Sequence, residues 1–121
     1  MAVMDALRSL GDRRGASFFR RLARVPCTQM DSFAARSLAY GLAELGDKAD
    51  AWLFVLWARE CPNIRDEALE AVGMLGGVPR MVEVIRQLES GPMAPERARD
   101  YELLEARVRE RLAQRYGTDA R

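Results

Sequence analysis

Ile64-Arg65-Asp66-Glu67-Ala68-Leu69-Glu70-Ala71-Val72-Gly73-Met74-Leu75-Gly76 decides the fold. Its apolar and small residues recur at steps of three and four, the spacing of a helix that buries one face. Ala68, Ala71 and Gly73 are small enough to let neighbouring helices come close, Ile64, Val72 and Leu75 fill the layer between them, and the terminal glycine turns the chain. The pattern stands once more upstream, as Ala34-Ala35, Leu38, Gly41-Leu42-Ala43 and Leu45-Gly46. A clipped copy precedes it, as Val3, Ala6-Leu7 and Leu10-Gly11. The three Leu-Gly pairs are 35 and 30 residues apart, and a period of this size marks stacked helical units.

Outward from these copies the signals are all helical. Strict period-2 alternation is missing, as are the Asn-Gly and Asp-Gly pairs of tight hairpins. Punctuation falls at Gly11-Asp12, Val25-Pro26, Gly46-Asp47, Cys61-Pro62-Asn63, Gly76-Gly77 and Gly91-Pro92. The segments between predict helices over 2–10, 16–25, 32–45, 49–60, 64–75, 79–89 and 96–116, with Asp31 and Ser32 as N-cap candidates for the third. Short connections imply antiparallel neighbours, hence helical hairpins. The last segment carries one apolar stripe, Tyr101, Leu104, Val108, Leu112 and Tyr116, on an otherwise charged helix that opens after Pro95 and ends at Gly117. That is what a terminal cap requires, one face on the last hairpin and the other in water.

The third copy resembles the short bacterial type of HEAT-like repeat, whose pattern runs V-R-x-x-A-x-x-A-L-G-x-L-G. The resemblance covers residues 32–89 well and 2–25 loosely. It implies a single all-α domain over 1–121: a short right-handed α-solenoid of about three hairpins (1–25, 32–60, 64–89) and a capping helix at 96–116. HEAT-like repeats serve as binding scaffolds, as parts of bilin lyases and as DNA-binding folds, so the resemblance speaks to architecture more than to function. Nothing in the residues signals a chromophore pocket.

Composition bounds the chemistry. The 121 residues hold 49% hydrophobic and 31% charged residues, enough for one packed core and no default to disorder. Nineteen basic and 18 acidic residues give a net charge of +1, so no global bias advertises nucleic acid or membrane. The absence of histidine removes Ser–His–Asp and Cys–His catalysis and His-ligated metals. The longest apolar run, Ala51 to Ala58, is far short of a membrane span of about 20 residues. The N-terminus lacks the pattern of a signal peptide. Cys27 and Cys61, with no CxxC, are too few for a disulfide-stapled scaffold and read as small buried thiols beside Pro26 and Pro62. A cytoplasmic protein with no cofactor, no metal and no membrane contact is the expectation.

Several groups of residues compete for a functional role. Charge is uneven: +4 over residues 1–40, −3 over 41–80 and 0 over 81–121. Arg13, Arg14, Arg20, Arg21 and Arg24 make a cluster able to clamp phosphates or an acidic surface. In Trp52-Leu53-Phe54-Val55-Leu56-Trp57 most side chains are core, and Trp57, beside Arg59 and Glu60, is the expected surface anchor because tryptophan is enriched at interface hot spots. Met4, with Val3, Leu7 and Leu10, leaves an apolar patch on the N-terminal hairpin, which is expected to be a two-fold dimer interface or a docking surface rimmed by the arginines. The carboxylates Glu44, Asp47, Asp50, Asp66, Glu67 and Glu70 read as helix-turn acids rather than an acid–base pair. The expected function is non-catalytic protein binding, as a small adaptor or an inhibitor of immunity type. The alternative is a nucleic-acid backbone binder, or a small subunit of a nucleoprotein complex, working through the arginines.

Overall fold

The computed structural model describes the backbone of residues 13–116 and the side chains from Ala16 onward. Six α-helices follow in chain order: α1 Arg13–Leu22, α2 Ser32–Leu45, α3 Ala51–Glu60, α4 Arg65–Gly76, α5 Val78–Leu88 and α6 Pro95–Tyr116. Single 3-10 turns at Cys27–Gln29, Lys48–Asp50 and Pro62–Ile64 lead into α2, α3 and α4, and the described residues contain no strand. The all-α expectation holds, and the predicted positions of α2 to α6 hold within two residues, whereas α1 starts and ends three residues before the expected 16–25. The expected helix at 2–10, and with it Met4 and the N-terminal patch, lies outside the described residues.

α4 is the hub, packing against α2, α3, α5 and α6, while α1 packs on α2. The hub works because its small residues sit where neighbours arrive. Ala68 and Ala71 are buried, and a Cβ built on Gly73 would stand 2.8 Å from Val108 of α6 and 3.0 Å from the Met81 sulfur of α5. Gly41 has the same use in α2, where a Cβ would fall 2.6 Å from the Phe19 ring of α1. Closely approaching helices gain dispersion contacts that any added methyl would turn into overlap. Around this hub Phe19, Leu42, Phe54, Trp57, Ile64, Leu69, Met81 and Val108 form one continuous core.

Side chains finish the helix ends. Asp31 caps α2 by accepting from the Ala34 N–H at 2.9 Å, satisfying one of the free donors of the first turn. Arg115 of α6 donates to the carbonyls of Ala43 and Glu44 at the C-terminal end of α2, where free carbonyls and the helix dipole favour a cation. Arg65 does the same for α3 through the Ala58 carbonyl at 2.8 Å.

Gly46 ends α2 without a left-handed turn: its φ is −77°, and what it supplies is a missing Cβ, which would lie 2.6 Å from both the Asp50 carboxylate and the Leu42 carbonyl. Among the described residues the glycines with positive φ are Gly77 (φ 95°) and Gly91 (φ 120°).

α6 buries Tyr101, Leu104, Val108 and Leu112 as expected, whereas Tyr116 is exposed. Glu70, the one buried charged residue described, accepts from Arg107 at 2.9 Å and faces Arg111 at 3.2 Å, tying α4 to α6. Glu89, between α5 and α6, accepts from Arg97 and from the Tyr101 hydroxyl. These bonds hold the Glu89 carboxyl below its ordinary range, while burial, aided by the bond to Glu89, pushes the Tyr101 phenol up.

Candidate functional site

A cleft of about 550 Å³ runs between the C-terminal part of α1, with the turn after it, and α3. Two links fix its width. At one end Arg20 reaches Asp50, Nε to Oδ1 and Nη2 to Oδ2, both at 2.8 Å. At the other, Cys27 and Cys61 form a disulfide with their Cα atoms 6.5 Å apart. The stretch from Arg20 to Cys27 and the stretch from Asp50 to Cys61 therefore run side by side in the same direction, joined at both ends. The sequence reading of two separate buried thiols is corrected: both residues are buried, but bonded to each other. Proline beside each cysteine and a separation of 34 residues, near the repeat period, are the signals that place them in successive turns.

The interior of the cleft is apolar. Small Ala23 leaves room on the α1 side, and Cys27, Pro26, Leu53 and Trp57 complete the lining. Trp52 (66% exposed) and Leu56 (40% exposed) stand on its α3 side. Arg24 marks the α1 rim and Glu60 the α3 rim.

The expected anchor, Trp57, is the wrong tryptophan. It is 2% exposed and stacks edge-on against Phe54, ring centroids 5.2 Å apart. The cause is helical phase. Ala51, Phe54, Val55 and Ala58 form the inner stripe and Trp57 lies beside it, while Trp52 and Leu56 share the outer stripe with Arg59 and Glu60. Closeness to a charged helix end is a poor guide; the better one is that Trp52 stands seven and eight residues, two helical turns, before Arg59 and Glu60.

The arginines do not form one free cluster. Arg20 is already engaged by Asp50, and Asp47 stands 3.6 Å away, so its charge is shared with two carboxylates of the same chain. The Asp50 bond keeps its guanidinium protonated above the usual range. Burial pushes the Asp50 carboxyl up, but the Arg20 hydrogen bond, the Asp47 N–H and the Arg20 charge outweigh it and leave the carboxyl below its ordinary value. Arg21 and Arg24 are exposed and pair with no described residue. Arg13 and Arg14 open α1, and their side chains lie outside the described set.

A second, polar recess of about 450 Å³ lies where Arg36, Asn63, Arg65, Glu67, Arg97 and Asp100 meet. Its arginines are committed within the fold: Arg36 to Glu67 at 3.2 Å, Arg65 to the Ala58 carbonyl and Arg97 to Glu89. Among the described residues no group of three metal-ligating side chains occurs, and no helix is long and apolar enough to cross a membrane. Comparison of the chain with protein-family models, with curated proteins and with solved structures gives no match.

Proposed function

We propose that the chain is a non-catalytic protein-binding module, a small adaptor or inhibitor built as a short stack of HEAT-like hairpins, and that it takes protein in the α1–α3 cleft. The observation that carries this reading is the exposed Trp52 beside an apolar recess whose width is held by an ion pair and a disulfide. An aromatic side chain next to a pre-formed apolar pocket is the composition of an interface hot spot, and a rigid site loses little entropy on binding. The cleft offers contact area rather than proton transfer. Of its two carboxylates, Asp50 is held by Arg20 and Glu60 is exposed at the rim. The stacked-hairpin reading rests on the repeated small positions, with Gly41 and Gly73 each receiving a neighbouring helix.

The nucleic-acid alternative loses support because Arg20, central to the basic cluster, is paired with Asp50 and faces Asp47. The Cys27–Cys61 bond suits an oxidising compartment better than the reducing cytoplasm first expected.

The test is affinity capture from host extract, with and without nuclease, comparing the parent chain with Trp52→Glu and with Leu103→Glu as a control on the exposed face of α6. A nuclease-resistant protein lost only with Trp52→Glu supports the reading. Capture abolished by nuclease, or equal for both variants, overturns it.

A further inference from the structure

We infer that the occupant of the α1–α3 cleft is a second copy of this chain, docked about a two-fold axis with each Trp52 inserted beside the other copy's cleft. The inference rests on the reading of the cleft as a protein-docking site and names its partner. A two-fold interface uses the same patch twice, so the patch must carry both the projection and the recess that receives it. This face has both: Trp52 is 66% exposed with Leu56 one turn on, and the recess of about 550 Å³ beside them is lined by Ala23, Pro26 and Trp57.

Its rim charges are also self-complementary. Arg24 lies on the α1 side and Glu60 on the α3 side, and no ion pair joins them within the chain. A two-fold axis parallel to the cleft sets α1 of each copy over α3 of the other and so brings Arg24 to the other copy's Glu60, whereas a uniformly acidic or basic partner meets one of the two as a like charge. The net charge of +1 leaves little long-range repulsion between copies. The clamps at Arg20–Asp50 and Cys27–Cys61 keep the recess open before docking, so association requires no rearrangement of the helices.

The experiment is sedimentation equilibrium of the disulfide-bonded chain over a wide concentration range, with far-ultraviolet circular dichroism and thermal melts to confirm the fold of each variant. The expected mass is twice the 13.6 kDa of the chain. Trp52→Glu should weaken the dimer by at least about thirtyfold, the effect of losing a hot-spot tryptophan. Arg24→Glu and Glu60→Arg should each weaken it, and the double charge swap should restore it. A chain monomeric at every concentration, a dimer that survives Trp52→Glu, or a double swap no better than the single variants overturns the inference. A monomeric chain that still captures a different protein through Trp52 would overturn the dimer while leaving the protein-binding reading intact.

Discussion

The Arg20 guanidinium grips both carboxylate oxygens of Asp50, across 30 residues of sequence, and so fixes α1 against the start of α3. Asp50 also accepts from the Asp47 N–H at 2.9 Å, closing a reciprocal cap over the 3-10 turn Lys48–Asp50. Replacing it therefore removes a bidentate pair and a cap bond together. Asp50→Asn is expected to cost about 1 kcal/mol, the modest figure reflecting an Arg20 side chain still 40% in water. Because the folded carboxyl titrates below its ordinary 3.8, its contribution is fully present above that value and is lost as pH falls through the folded value. Urea melts of the parent and Asp50→Asn should differ by a constant amount from neutral pH down to about 4.5 and converge in stronger acid. A gap that widens on acidification would contradict this assignment.

The disulfide closes the loop from Cys27 to Cys61, which contains all of α2 and α3. Cross-linking two residues separated by 34 in sequence removes enough freedom from the unfolded chain to stabilise the fold by about 3–4 kcal/mol in the loop-entropy view. Unfolding by urea should shift to lower midpoint when reductant is added to the parent chain. A Cys27→Ala/Cys61→Ala variant should already unfold at that lower midpoint and ignore reductant. Identical midpoints for all samples would show that the bond contributes nothing to stability.

What the sequence made legible was local and periodic. Helices α1 to α6 follow from three- and four-residue apolar steps, and Asp31 was readable as a cap because its side chain reaches only its own first turn. Relations across many residues were not readable. Arg20 looked like a surface cation because nothing near it in sequence announces Asp50. Cys27 and Cys61 looked like separate thiols because their meeting depends on how successive turns stack. Trp52 and Trp57 differ only in phase on one helix, and an almost wholly apolar helix conceals its phase until its neighbours are placed.

Gly41 and Gly73 test that stacking directly. An added Cβ meets the Phe19 ring at 2.6 Å in the first case and Val108 at 2.8 Å in the second. Alanine raises helix propensity by about 1 kcal/mol, so an open site would gain stability. Here overlap should win, with Gly41→Ala and Gly73→Ala each destabilised by about 1–3 kcal/mol. Ala68→Leu, at a fully buried position, should lose at least as much. Phe19→Leu should relieve part of the Gly41→Ala penalty in a double-mutant cycle, since the ring supplies the contact. Additive losses for that pair would refute the close approach of α1 to α2.

Glu70 supplies the last test, because it is the only charged side chain among the described residues to be buried, at 3% exposure, and two arginines of α6 converge on one of its oxygens. A buried carboxylate is tolerated when it is paired, and the stability at stake depends on which partner is removed. Arg107 is largely exposed, so without Glu70 it turns to water at little cost. Glu70, left without both arginines, stays buried and unpaired. The asymmetry follows: Arg107→Ala should cost under about 1 kcal/mol, because Arg111 remains. The Arg107→Ala/Arg111→Ala pair should cost about 2–4 kcal/mol, more than the sum of the single losses. Glu70→Gln, which keeps the shape and loses the charge, should fall between them, and adding it to the double arginine variant should recover stability. Chemical denaturation of the parent, Arg107→Ala, Arg111→Ala, the double arginine variant, Glu70→Gln and the triple variant reads this order, and a double arginine variant no weaker than Arg107→Ala alone would show that the pairing of α4 with α6 does not depend on charge.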